Sequence, residues 1–103
     1  METKTATQMA TIYGMKSSVA FNKTLVKCGV LLHTNKGYVL AGSLRGFGYV
    51  TVIEAPYFLP NGIRAIKKKA VWTEKGQQFI HQRLGRIGIM PVNERNDIFT
   101  ILN

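Results

Sequence analysis

The sequence predicts an α+β fold with three helices and two hairpins. Apolar residues first recur at three- and four-residue steps, alternate with a period of two from Val30, and return to the helical period after Thr73. The chain has 103 residues, 46% of them hydrophobic, which is enough for the core of one domain. We therefore predict a single domain over residues 1–103, with a core at about 5–90 and a C-terminal extension at 91–103.

The first two helices are predicted to end at glycines, which favour the left-handed turn that closes a helix. The first runs from Thr5 to Gly14, with Thr3 or Thr5 as its N-cap. The second begins at Ser17 or Ser18 and ends at Gly29. The buried stripe of this second helix is predicted to be Phe21, Leu25 and Cys28.

Two hairpins are predicted to follow. The short one pairs Val30–His33 with Tyr38–Leu40 across a loop of three or four residues. The long one pairs Tyr49–Phe58 with Ile63–Val71 around the turn sequence Pro60-Asn61-Gly62. The segment between the hairpins, residues 41–48, has little pattern and is predicted to be irregular.

Thr73 is predicted to cap a final helix that Gly88 closes. Its apolar face would be Phe79, Ile80, Leu84 and Ile87. Beyond Pro91, the apolar residues Ile98, Phe99, Ile101 and Leu102 favour a terminal strand. Two helices that meet at a glycine turn, followed by hairpins and a helix, are the order of a winged helix-turn-helix, which is the fold that we predict.

The charge of the chain points to an anionic partner. Fourteen Lys and Arg residues against five Asp and Glu give a formal net charge of +9. A domain this basic attracts nucleic acid or an acidic membrane surface. Solvated lysines, or a contact with an acidic protein, would explain the same composition. The positions of the charges are therefore needed to distinguish these explanations from nucleic-acid binding.

A basic row is predicted on the exposed side of the second helix. On the wheel that buries Phe21, the side chains of Lys16, Lys23 and Lys27 lie together on the opposite side. Such a helix is suited to the major groove, with its N-terminal end at the base edges. The predicted groove contacts are Lys16, Ser17, Ser18 and Lys23, with Lys27 on phosphate and Asn22 at the flank. Simple solvation of an amphipathic helix is the equally weighted alternative.

A second basic cluster lies on the long hairpin. Lys67 and Lys69 share one face of the predicted strand, while Lys68 and Arg64 share the other. A wing along the phosphate backbone would use all four as unspecific anchors. Protection of an edge strand against aggregation is the alternative, and both roles are compatible.

Catalysis is not predicted. The sequence has no Cys-x-x-Cys, His-x-x-x-His or paired carboxylates, so we expect no metal, no cofactor and no catalytic residue. The aromatic residues of the strands are interpreted as core rather than as a base-stacking surface. Cys28 is the only cysteine, which excludes an intrachain disulfide and fits a reducing cytoplasm. No segment has the apolar length of a membrane span or of a signal peptide core.

Several segments, in their order, resemble the C-terminal KilA (KilAC) domain of phage antirepressor proteins. They are Thr5–Ala10 with Tyr13-Gly14-Met15, Phe21–Leu25 with Cys28-Gly29-Val30, Gly46–Tyr49, and the most characteristic run, Val71–Ile80. The resemblance covers about residues 5–90. It implies a winged-helix DNA-binding domain of phage or prophage origin that acts in the switch from lysogenic to lytic growth. In that family the module usually follows a separate N-terminal domain.

The function expected from the sequence is double-stranded DNA binding by an antirepressor-like transcriptional regulator, without enzymatic activity. The alternative is a protein-interaction module that binds a phage repressor protein and does not contact DNA. We expect no membrane association and a location in the cytoplasm of a bacterial or phage-infected cell. A homodimer stays open as a further partner.

Overall fold

The structure, a computed structural model, describes residues 2–93. Its elements, in chain order, are α1 (Ala6–Ile12), α2 (Ser18–Lys27), β1 (Leu31–Thr34), β2 (Gly37–Leu40), a 3-10 turn (Gly42–Leu44), β3 (Val50–Phe58), β4 (Arg64–Trp72) and α3 (Glu74–Gly85). They form an α+β arrangement of three helices and two small antiparallel sheets, as the sequence predicts. The predicted terminal strand lies outside the described residues.

The ends of α1 and α2 follow from their capping residues. Thr5 caps α1 in a reciprocal capping box with Gln8, in which each side chain bonds the backbone of the other residue. Ser17 caps α2 and accepts a hydrogen bond from the Ala20 N–H at 3.1 Å. Gly14 and Gly29 follow the two helices with φ of 68° and 77°, values that favour glycine over any residue with a Cβ.

The short hairpin has a tighter loop than the sequence predicts. Thr34 and Gly37 are paired, so only Asn35 and Lys36 separate the strands, and the predicted three- or four-residue loop is wrong. The Thr34 side chain bonds both arms of the loop, since its hydroxyl donates to the Gly37 carbonyl at 2.8 Å and accepts from the Lys36 N–H at 3.2 Å. Gly37 has a φ of 116°, which lets the second strand begin at once.

The long hairpin pairs nine residues on each strand, from Val50 opposite Trp72 to Phe58 opposite Arg64. Its turn is closed by the hydrogen bond from the Gly62 N–H to the Leu59 carbonyl at 2.8 Å. At its root, Lys4 makes a two-way antiparallel bridge with Trp72, at 2.8 and 3.0 Å. The hairpin contributes to an elongated shape, with extents of 55 × 32 × 26 Å.

The core lies between the three helices, β1 and the root of the long hairpin. Its members are Met9, Ala10, Tyr13, Phe21, Leu25, Val30, Leu31, Val71, Trp72, Ile80 and Leu84. Full burial of one large apolar side chain of this kind stabilises the fold by about 1.5–3 kcal/mol. No polar or charged side chain within residues 2–93 is buried, so the cations of this region lie at or near the surface.

Three groups of predicted core residues are less buried than expected. Cys28 caps the C-terminal end of α2 and is half-buried, whereas Phe21 and Leu25 of the same predicted stripe are fully buried. Helix α3 ends at Gly85, so Ile87 falls in the closing turn and is 56% exposed. The interpretation of the aromatic residues as core is wrong for Phe47, Tyr57 and Phe58, which are exposed. Tyr57 and Phe58 lie near the tip of the long hairpin, and Phe47 lies in the loop before β3, where it stacks on Tyr49.

Candidate nucleic-acid interface

Helix α2 exposes a row of side chains opposite its buried stripe. Lys23 and Lys27, four residues apart, lie on the same side of the helix, and both are exposed. Val19 continues the row one turn earlier and is 49% exposed. The orientation follows from the complete burial of Phe21 and Leu25, which fixes the opposite side of the helix in solvent.

The N-terminal end of α2 differs in detail from the helical-wheel prediction. Lys16 is exposed, but it precedes the N-cap Ser17 and therefore lies outside the helix. The Ser17 hydroxyl is bonded to the Ala20 N–H and is committed to capping. Ser18 is half-buried as the first helical residue. The wheel angle thus applies to Lys23 and Lys27, while the position of Lys16 depends on the turn.

Asn22 lies at the flank of α2, as predicted, and is half-buried. It lines a cleft of about 440 Å³ together with residues 70–72 of β4 and residues 38–40 of β2. The flank of α2 and the root of the long hairpin therefore adjoin across this cleft.

The four predicted cations of the long hairpin are all exposed on β4. Strand alternation puts Lys67 and Lys69 on one side of the hairpin, here named the Lys67 face, which also carries Ile53 and Tyr57. Arg64 and Lys68 lie on the other side, here named the Phe58 face because Phe58 is its most exposed large apolar residue. The observed register thus places Lys67 and Lys69 on one face and Arg64 and Lys68 on the other, as the strand alternation predicts.

The Phe58 face carries features that the sequence analysis missed. Lys68 is directly opposite Glu54 in the register, so this cation has an acidic neighbour on its own face. Val52 and Ile66 on the same face are each 61% exposed. The available signal was the presence of apolar residues on both sides of two alternating strands. That pattern is typical of strands covered on both sides, and it does not indicate what covers them.

Other cations serve the fold. Arg83 of α3 donates a hydrogen bond to the Cys28 carbonyl at 3.2 Å, and its positive charge there stabilises the C-terminal end of the α2 dipole. The guanidinium also lies over the Phe79 ring, 5.0 Å from its centroid. Lys75 lies 5.7 Å from the ring centroid of Tyr49. Lys4 donates to Glu2 at 2.7 Å, and this hydrogen bond lowers the pKa of the exposed Glu2 carboxyl.

The run Val71–Ile80 holds α3 against the root of the long hairpin. The Thr73 hydroxyl caps α3 at Gly76 and also donates to the Gly48 carbonyl at 2.5 Å. The Gly76 Cα approaches the Tyr49 carbonyl so closely that a Cβ there would stand 2.0 Å from the oxygen. The threonine and the glycine of this run thus have structural roles in capping α3 and in its close packing against β3.

Two chemical possibilities have no support in the described residues. Within residues 2–93 no group of three or more His, Cys, Asp and Glu side chains is arranged to hold a metal ion. In the same part of the chain no helix combines the length and apolar character needed to cross a membrane. The surface is instead marked by the lysines of α2 and β4, which make no ion pair with another described residue.

The fold and this surface define a small basic α+β domain with exposed lysines on a helix and on a long hairpin. Comparison with family models matches residues 2–86 to the phage antirepressor protein KilAC domain. The chain therefore belongs to the KilAC domain family of phage antirepressors, which confirms the resemblance and supports a role as a phage regulator. Comparisons with curated proteins and with solved structures gave no match.

Proposed function

We propose that this domain is a winged helix-turn-helix that binds double-stranded DNA without catalysing a reaction. Helix α2 enters the major groove, and Lys16 and Lys23 approach base edges or phosphates at its N-terminal half. Lys27 lies on phosphate. The long hairpin acts as the wing, and its lysines bind the phosphate backbone.

The observation that carries this proposal is the side of α2 on which its charges lie. Phe21 and Leu25 are completely buried, so Lys23 and Lys27 project from the domain with the small residue Val19 beside them. A helix whose buried side packs on the core and whose exposed side is basic complements the shape and the negative potential of a major groove. The Lys67 face of the long hairpin supplies a second set of exposed cations for the DNA backbone.

The proposal is tested by fluorescence anisotropy with labelled duplexes, first from a random pool and then from the sequences that the protein selects. If about six phosphates are neutralised, affinity falls roughly a thousandfold between about 50 and 200 mM salt. A matched titration with single-stranded DNA serves as the control, and it is expected to show weaker binding than the duplex.

A second measurement distinguishes the alternative function. A pull-down with the repressor of the same phage tests whether the domain is a protein-interaction module. Capture of the repressor, together with no measurable duplex binding at low salt, would overturn the DNA-binding proposal. Salt-dependent binding to duplex, with selection of a defined sequence from the pool, would support it.

A further inference from the structure

We infer that Phe47 and Lys75 form a binding site for one unpaired nucleobase and its phosphate, as single-stranded DNA or RNA presents them. The inference goes beyond the proposed binding of duplex DNA. It concerns the loop before β3 and the first turn of α3, and it does not depend on whether α2 or the long hairpin contacts a duplex.

Phe47 is the outermost ring of a stack of three aromatic side chains. Its centroid lies 5.7 Å from that of Tyr49, and the Tyr49 centroid lies 4.4 Å from that of Phe79, with interplanar angles of 20° and 15°. The guanidinium of Arg83 lies over the Phe79 ring, 5.0 Å from its centroid. The two inner rings are half-buried and each already has two partners, so Phe47 is the ring of this stack that can accept another flat group.

The Phe47 ring is open on the side away from Tyr49. Phe47 is 51% exposed even though Tyr49 stacks on one side of its ring. The flanking Gly46 and Gly48 are exposed as well, and a Cβ added at either position would meet nothing within 4 Å. The space on the outer side of the ring is therefore sufficient for a stacked base.

Lys75 supplies a positive charge beside this open ring without covering it. Its Nζ lies 6.0 Å from the Phe47 centroid and 5.7 Å from the Tyr49 centroid. An ammonium on the outer side of Phe47 would be farther from Tyr49 than from Phe47, so these distances place Nζ at the edge of the ring pair. Lys75 is exposed and makes no ion pair with another described residue, and the neighbouring Glu74 points about 100° away around α3.

A ring with a cation at its edge complements a nucleotide, in which a flat base is joined to an anionic phosphate. Stacking on an aromatic ring tolerates any sequence, because every base has a π-face. Aspartate and glutamate side chains of a protein partner would satisfy the charge of Lys75 but have no flat ring for Phe47. Within a duplex the bases stack on one another, so their faces are not accessible. The site therefore favours an unpaired base.

The site is tested by fluorescence anisotropy of the full chain with two labelled strands of about eight nucleotides. One strand is oligothymidylate, and the other is an abasic strand of the same length, which keeps the phosphates but has no bases. The wild-type chain is expected to bind the thymidine strand about five- to tenfold more tightly than the abasic strand. A third strand, oligouridylate, distinguishes the two sources of the base, since the tighter of the two pyrimidine strands identifies DNA or RNA.

Substitutions at the ring test the stacking contact. Phe47→Ala is expected to reduce the preference for bases to about twofold or less and to leave the affinity for the abasic strand within about twofold of wild type. Phe47→Trp keeps a flat ring and is expected to keep the preference. Phe58→Ala is the matched control, because Phe58 is 73% exposed but lies outside the stack, and its preference is expected to equal that of wild type.

A substitution at the cation tests the phosphate contact. Lys75→Gln is expected to weaken both strands by the same factor and to lower both salt slopes by about 0.7, because it removes a contact with phosphate and none with a base. A loss confined to the thymidine strand would contradict this role of Lys75.

Circular dichroism of each variant checks that the fold is retained. Equal affinity of the wild-type chain for the thymidine and abasic strands overturns the inference, as does an equal loss of preference in Phe47→Ala and Phe58→Ala. In Phe47→Trp the introduced indole gives a second readout. Its fluorescence is expected to be quenched by the thymidine strand and not by the abasic strand, and the absence of this difference also overturns the inference.

These outcomes are separate from those of the proposed function. Lys23→Ala is expected to weaken duplex binding and to leave the preference for bases over the abasic strand unchanged. A chain that fails to bind duplex can still show this preference, and a chain without the preference can still bind duplex.

Discussion

At the residue scale, the carbonyl group of Tyr49 joins the long hairpin to helix α3. It accepts a hydrogen bond from the Thr73 backbone N–H at 3.0 Å, and the Thr73 hydroxyl, which donates to the Gly48 carbonyl, lies 3.1 Å from the same oxygen. The Gly76 Cα stands against the same carbonyl, since a Cβ there would lie 2.0 Å from its oxygen. The Tyr49 ring stacks on Phe79 of α3 with centroids 4.4 Å apart. One residue thus fixes where the hairpin leaves the body.

Gly76→Ala is expected to destabilise the domain by about 1–3 kcal/mol, because the added methyl forces β3 and α3 apart. Gly85→Ala in the same helix is the matched control. A Cβ at Gly85 meets nothing within 4 Å, so this change is expected to be neutral or to stabilise by up to about 1 kcal/mol. Urea unfolding followed by circular dichroism measures both. Equal effects of the two substitutions would contradict the close-packing explanation.

At the element scale, the sequence predicts the helices well because their ends are set locally. Thr5, Ser17 and Thr73 cap the three helices, and the glycines after them are positioned by the same short-range rules. Both hairpins are predicted within one residue or so for the same reason. The basic row of α2 also follows, because burial of Phe21 determines which side is exposed.

The sequence patterns of the long hairpin predict its strands but not the environment of its two faces. The apolar residues on both faces of the hairpin predict strands. The same sequence pattern would arise if the strands were buried within this chain or if a second chain covered them. The wheel position of Lys16 fails for a related reason, since a residue before the N-cap follows the turn and not the helix. The 440 Å³ cleft depends on packing between distant segments and had no local signal.

The two lysine-bearing elements are expected to contribute differently to DNA binding. Lys23→Ala on α2 should cost about 1–3 kcal/mol on a selected site and less on random duplex, because a groove contact reads sequence. The double change Lys67→Ala and Lys69→Ala should weaken both duplexes equally and reduce the salt slope by about 2, because backbone contacts do not read sequence.

Anisotropy titrations on the two duplexes measure these effects. Lys4→Gln is the control, because the charge of Lys4 is already paired with Glu2, and little change in either affinity is expected. If Lys23→Ala weakened selected and random duplexes by the same factor, the α2 contact would be a phosphate contact only.

At the scale of the whole molecule, the proposed DNA surface combines helix α2 with the long hairpin. One copy of the domain on a duplex would select a single half-site, whereas two copies related by a two-fold axis would select inverted repeats with a fixed spacing. Sequencing of the duplexes selected from a random pool distinguishes these two outcomes.

The long hairpin also behaves mechanically as a lever. Nine residues per strand extend roughly 30 Å, so a tilt of about 5° where the ribbon leaves the body displaces its tip by about 2–3 Å. A displacement of about 2–3 Å at the tip is large enough to break a close contact between the hairpin and a bound partner. The tight contact between Gly76 and Tyr49 therefore sets an angular tolerance, and small substitutions around it would change the geometry at the far tip without touching any residue there.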